Sequence, residues 1–237
     1  MRDARWKAQH QTWFTPDVRT VAFLHTADMH VATFSGLLSE VAPGAMDVHL
    51  VDTELLSDAR RHGVDAGIEA RVLARLRELT VRDPGAIVCT CSTLSGLAER
   101  LAEEIETPVV RIDRPMAESA VANGGRIALV VAIDSTLAPT RQLFEECAAR
   151  AGSNATLVDA PCLDAWELFE AGDHAGYLDR VARHVRGLAD DFDVVVLAQA
   201  SMAPAAELVG DLSLPVLSSP RLAVLRAVAL AERDCVA

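Results

Sequence analysis

Cys91 ends a run of small and β-branched residues, Ala86-Ile87-Val88-Cys89-Thr90, and is followed at once by Ser92 and Thr93. That order reads as a buried strand giving way to a helix, because Ser and Thr are favoured where a helix begins. A thiol at such a junction meets unpaired backbone N–H groups and the positive end of a helix dipole, and both favour the thiolate, the form that takes protons or attacks carbon. The plainer alternative is packing, since a free cysteine is most often a small buried hydrophobe. Cys89, two residues deeper in the run, reads as that.

The same strand-to-helix pattern recurs at Gln199-Ala200-Ser201, at His25-Thr26-Ala27-Asp28 and at Asp134-Ser135-Thr136. The hydroxyls of Thr26, Ser92, Thr93, Ser135, Thr136 and Ser201, with the backbone N–H groups of these turns and of Ala200, would cradle a small carboxylate. Helix capping explains any one of them equally well, and recurrence at several turns is what favours binding. His25 is placed to orient the Cys91 thiol or to accept its proton, or only to hydrogen-bond at a strand end. His25, Asp28 and His30 lack the spacing that would fix metal ligands, and no metal is assigned.

These residues need elements to hold them. Short apolar runs at Val21–His25, Asp47–Val51, Ala86–Cys91, Val109–Ile112, Ile127–Ala132, Ala155–Val158, Val194–Gln199 and Val216–Ser218 read as strands. Amphipathic stretches such as Ile68–Leu79 and Thr136–Ala149 lie between them. The alternation predicts an α/β fold with mainly parallel sheets flanked by helices. The chain also repeats itself. Ala86–Leu94 lines up with Val194–Met202, Val21–Leu24 with Ile127–Val130, and Pro108-Val109-Val110 with Pro215-Val216-Leu217. Two pseudo-symmetric lobes are expected, residues 1–116 with 216–237 forming the first and 117–215 the second. Ligands of open α/β sheets bind beyond the C-terminal strand ends, so the turns of both lobes should face one cleft.

Composition narrows the partners. Lys plus Arg number 22 against 34 Asp plus Glu, a formal charge of −12, and no basic run follows a phosphate backbone or an anionic membrane. Nucleic acid and membrane are therefore not expected partners. Five cysteines at 89, 91, 147, 162 and 235 form neither a disulfide framework nor a zinc site, and they fit a reducing cytoplasm. The first twenty residues carry no signal-peptide pattern, and Trp6, Trp13 and Phe14 read as an arm laid on the body or on a partner subunit. Gly124-Gly125 precedes a strand where a phosphate loop would follow one, so no dinucleotide fingerprint is present. A serine nucleophile elbow is missing as well. No cofactor is expected.

The duplicated lobes, the Cys91-Ser92-Thr93 turn and its counterpart Leu197-Ala198-Gln199-Ala200 resemble the aspartate/glutamate/hydantoin racemase superfamily, which includes maleate isomerase and arylmalonate decarboxylase. The resemblance runs from about Val21 to the last helix. It implies a cofactor-independent enzyme in which paired cysteines face a substrate's α-carbon, one removing a proton and the other returning one. It also implies a small carboxylate substrate and a homodimer or higher homo-oligomer. Cys91 matches the first cysteine. Gln199 stands in place of the second, Ala200 where a threonine is usual, and His25 where an aspartate is frequent. An amide has no proton-transfer pKa near neutrality, so Gln199 can hydrogen-bond substrate but cannot be a second base. One thiol suits decarboxylation with protonation, or one-sided isomerisation, better than two-base racemisation. A non-catalytic sensor of small acids on the same scaffold is the alternative.

Overall fold

The computed structural model describes residues 18–232. The proposed N-terminal arm and Cys235 lie outside the described residues. In chain order the elements are β1 (Val21–His25), α1 (Met29–Val41), β2 (Asp47–Val51), α2 (Thr53–His62), α3 (Ala66–Thr80), β3 (Ala86–Cys89), α4 (Ser92–Leu101), β4 (Val109–Arg111) and α5 (Arg114–Asn123). There follow β5 (Arg126–Val130), α6 (Leu137–Ala151), β6 (Thr156–Asp159), α7 (Ala165–Glu170), α8 (His174–Arg186), β7 (Val194–Leu197), a 3₁₀ helix (Ala200–Val209), β8 (Val216–Ser218) and α9 (Ser219–Ala231). Helix starts follow their sequence signals: the carboxylates of Asp52, Asp65 and Asp173 accept from the N–H groups of Leu55, Ile68 and Gly176, capping α2, α3 and α8.

The strands form two four-stranded parallel sheets, ordered β2-β1-β3-β4 and β6-β5-β7-β8. The duplication extends to register. Val21 pairs with Ala86 as Ile127 pairs with Val194, and Ile87 pairs with Val109 as Val195 pairs with Val216. These are the residue pairs that the sequence repeat sets equivalent. Beyond the ladders the match continues, with the Thr90 N–H donating to the Leu24 carbonyl and the Ala198 N–H to that of Val130, each at 3.0 Å.

Each sheet is covered on both faces. On the first, Ala22, Leu24, Ile87 and Cys89 pack under α3 and α4, while Val21, Phe23 and Val88 pack under α1 and α9. On the second, Ala128, Val130, Val195 and Leu197 meet α8 and the 3₁₀ helix, and Ile127, Leu129, Val194 and Val196 meet α5 and α6. Two lobe boundaries move relative to the sequence expectation. Residue 116 falls inside α5, whose Met116, Ala117, Ala120 and Val121 pack on the second sheet. Residues 216–218 are β8, bonded to β7 in the second sheet, so only α9 crosses back to the first. The small residues Ala223, Ala227 and Ala231 let α9 lie close against that sheet.

Several strands end earlier than their apolar runs. The β3 ladder stops at Cys89 and the β7 ladder at Leu197, because the next residues turn toward the helices that follow. No helix among the described residues is long and apolar enough to cross a membrane.

Candidate active site

The C-terminal ends of β1, β3, β5 and β7 open on one cavity of about 270 Å³ between the lobes. Cys91 and Gln199 occupy equivalent places in its wall. Each is extended, at φ −95° and −120°, and each is the residue immediately before a helix. The Cys91 carbonyl accepts from the N–H groups of Leu94 and Ser95, and the Gln199 carbonyl from that of Met202. The N–H groups ahead of these, on Ser92, Thr93, Ala200 and Ser201, make no backbone hydrogen bond among the described residues. Two helix starts therefore direct unpaired donors at one space. They are not identical: α4 is an α-helix, whereas Pro204 lacks an N–H and the second lobe's segment is 3₁₀.

Of the residues expected at the site, Thr26, Cys91, Ser92, Thr93, Thr136, Gln199, Ala200 and Ser201 line this cavity. Two do not. Ser135 is exposed and its neighbour Thr136 is the one turned inward. His25 has no exposed surface. Its ring shares the β1 face of Phe23, stacked beside it, and packs on Phe34 of α1 instead of reaching the thiol. Burial, reinforced by His49 and His30, lowers the His25 pKa from its ordinary value to about 3, so the imidazole is neutral at physiological pH. His25 Nδ1 lies 2.8 Å from Thr90 Oγ1, and it is Thr90 that borders the cavity.

Opposite Cys91 the cavity wall holds a fixed amide. The Ala132 N–H donates to Gln199 Oε1 at 2.5 Å, and this bond sets the amide's orientation. The Gln199 NH₂ has no partner among the described residues and is left to the cavity. Cys89 is buried behind Cys91, and desolvation pushes its thiol well above the ordinary range, which keeps it protonated and inert. Ser92 Oγ donates to the Ala198 carbonyl at 3.4 Å across the lobes, and Ser201 Oγ shares a 2.9 Å hydrogen bond with Tyr177.

Ala27, with Met29 and His30 at the start of α1, adds to the first-lobe side, and more of the lining comes from helices that the turn pattern does not reach. Leu56 and Arg60 of α2 face Trp166 and Phe169 of α7, and Ile133 adds a further apolar side chain. Trp166 and Phe169 stack with centroids 4.6 Å apart, and the Arg60 guanidinium sits 5.9 Å from the Trp166 ring centre. Among the described residues Arg60 is the lining's only Lys or Arg, and it spans the mouth from one lobe to the other. In the sequence it belongs to Arg60-Arg61-His62 at a helix end, indistinguishable there from residues that favour a helix dipole.

No curated protein matches the sequence. Solved structures match the fold. The chain is similar to an aspartate racemase from Picrophilus torridus, at 12% identity and TM-score 0.71, covering 91% of this chain and 95% of the other. It is similar to a crystal structure described as an Asp/Glu racemase from Yersinia pestis, at 12% identity and TM-score 0.72, covering 91% and 100%. It is also similar to a mutant arylmalonate decarboxylase in its sulfate-associated form, at 19% identity and TM-score 0.56, covering 91% and 94%. The Asp/Glu/hydantoin racemase family model matches residues 26–227, from the end of β1 into α9, and the chain belongs to that family.

Proposed function

We propose that the protein is a cofactor-independent enzyme that forms or quenches a carbanion next to a carboxylate, with Cys91 as its one proton-transferring thiol. The carrying observation is the pairing across the cavity of a thiol with an amide, each at a helix start. The substrate carboxylate would lie against the N–H groups of Ser92 and Thr93 and the hydroxyl of Thr136. The Gln199 NH₂ would donate to the oxygen that gains negative charge as the α-carbon is deprotonated or decarboxylated, a donor aimed where charge develops. Any remaining substituent would rest against Leu56, Ile133, Trp166 and Phe169, with Arg60 at the mouth drawing in an anion.

A proton delivered from one face only favours a decarboxylase or one-sided isomerase over a racemase working equally from both enantiomers. Gln199 supports that second reading, because its amide cannot take a proton from the opposite face. A homodimer or higher homo-oligomer remains part of the proposal on the strength of the family.

The test is a panel of amino acids, hydantoins and malonates incubated in deuterium oxide, with label at the α-carbon and released carbon dioxide both measured. Turnover that disappears in Cys91→Ala, with an unchanged melting profile, is the expected result. Cys91→Ala with undiminished activity removes the thiol from the mechanism. Ligand-dependent melting without label uptake or carbon dioxide on any member replaces the enzyme by a binding protein.

A further inference from the structure

A line of polar side chains runs from the cavity wall to the surface on the side of the first sheet away from α4. Thr90 Oγ1 lies 3.1 Å from the Leu24 carbonyl and 2.8 Å from His25 Nδ1. His25 Nε2 lies 2.8 Å from His49 Nδ1, and His49 Nε2 lies 2.9 Å from both Asp47 Oδ2 and Ser35 Oγ. Ser35 Oγ in turn donates to Asp47 Oδ2. Exposure rises along the line: Thr90 is 2% exposed and His25 0%, while the side chains of His49 and Asp47 are 13% and 35% exposed. Sheet pairing builds it, since His49 is the β2 neighbour of Phe23 and its ring stacks on those of Phe23 and His25.

With the Ser35 hydroxyl donating to the Asp47 carboxylate, counting protons along this line leaves two arrangements. A hydroxyl has one hydrogen, and a neutral imidazole has one N–H and one lone pair. Suppose Thr90 donates to the Leu24 carbonyl. His25 Nδ1 must then donate to Thr90, its Nε2 must accept from the His49 Nδ1–H, and His49 needs a second proton on Nε2 to bond Asp47. His49 is then an imidazolium paired with a carboxylate. Suppose instead that His49 is neutral and donates through Nε2 to Asp47. Its Nδ1 now accepts from the His25 Nε2–H, His25 Nδ1 accepts, and the Thr90 hydroxyl swings to donate to His25. The Leu24 carbonyl is not orphaned by the swing, because the Thr90 N–H still donates to it at 3.0 Å. The two arrangements differ by one proton: in going from the second to the first, His25 hands its Nε2 proton to His49 Nδ1, the Thr90 hydroxyl passes its proton to His25 Nδ1, and Thr90 takes a new proton from the cavity.

We propose that Asp47, His49 and His25 form a one-proton relay whose charge state near the surface sets the direction of the Thr90 hydroxyl in the wall beside Cys91. The three are positioning residues acting through Thr90. The relay stands whether or not the cavity carries out the chemistry proposed above. The groups facing it limit where the proton resides. His30 of α1, with its ring centre 6.3 Å from that of His25, opposes charge on His25, as do the apolar rings of Phe23 and Phe34. Asp47, alone among the described residues, offers the line a carboxylate, and so the added proton is held at His49.

The test is nitrogen-15 NMR of the histidine rings in the full chain, following long-range couplings from about pH 5 to about pH 9, with ring signals assigned through His49→Gln and His30→Gln. The expected result is that His25 changes tautomer, from Nε2–H at the alkaline end to Nδ1–H at the acid end. The midpoint should be the one at which His49 gains its second proton. In Asp47→Asn both midpoints should fall together by about one pH unit or more, because the imidazolium loses its opposite charge. A single His25 tautomer across the range, or a His25 change at a midpoint different from that of His49, overturns the relay. The wild-type titration decides this alone if Asp47→Asn does not fold.

Discussion

Replacing Gln199 by cysteine is the direct way to ask whether its place opposite Cys91 can support two-thiol chemistry, and the structure attaches a stability cost to it. Gln199 Oε1 is the acceptor for the Ala132 N–H at 2.5 Å, and Ala132 is 1% exposed. A cysteine side chain is two atoms shorter and leaves that donor without a partner. An orphaned buried donor costs about 1–3 kcal/mol. For a chain of this size each kcal/mol moves the melting temperature by about 2–4 °C, so Gln199→Cys should melt roughly 2–12 °C below wild type. Gln199→Leu should fall by a similar amount. Gln199→Glu keeps an acceptor oxygen at the same reach and should melt closer to wild type, while losing the NH₂ that faces the cavity. Thermal unfolding followed by circular dichroism, together with amide exchange of Ala132 by NMR, reads both consequences. Deuterium uptake at the α-carbon, started from each enantiomer at a temperature below the lowered transition, then reports whether the new thiol works as a second base. Melting of Gln199→Cys indistinguishable from wild type, with the Ala132 amide still protected, would refute the assignment of that hydrogen bond and with it the fixed orientation of the amide.

Three further outcomes follow from other parts of the fold. Gly85→Ala would place a Cβ 2.6 Å from the Ala231 backbone, so α9 must shift off the first sheet; overpacking of this kind costs about 1–3 kcal/mol and should lower the denaturation midpoint in urea at unchanged slope. His25 has its folded pKa depressed to about 3 against about 6.5 unfolded, so below pH 6.5 the unfolded chain binds the proton that the folded chain refuses. Stability should therefore fall on acidification through that window, by up to about 1.4 kcal/mol per pH unit for this one group, and a His25→Asn variant should show a shallower pH dependence of unfolding; equal slopes would mean that His25 titrates normally. Arg60→Ala should weaken binding of a carboxylate probe such as phenylacetate, measured by calorimetry, with a penalty that shrinks as salt is added, whereas Trp166→Phe should act with little salt dependence.

The fold was legible because parallel α/β lobes write their strands as unbroken apolar runs, and because a duplicated sequence carries its register with it: Val21 and Ala86 are neighbours for the same reason that Ile127 and Val194 are. The turns at Cys91, Gln199 and Thr136 were legible for a related reason, since parallel strand order forces all these C-terminal ends to one side. His25 shows where that reasoning stops. A strand end fixes which edge of the sheet a residue occupies, but the two-residue alternation fixes which face, and His25 shares its face with Phe23, away from Cys91. The alternation was present in the sequence and would have placed the ring in the core. Arg60, Trp166 and Phe169 carried no comparable signal, because how α2 and α7 lean over the cavity depends on packing between helices from different lobes, which no local period encodes. His49 and Asp47 needed the sideways pairing of β2 with β1 before either could be connected to Thr90. What the sequence specifies locally is the edge of each sheet that faces the cavity. The groups that tune that edge arrive laterally, through strand neighbours behind it and helices above it, and those are the residues that would set the direction of the Thr90 hydroxyl beside Cys91.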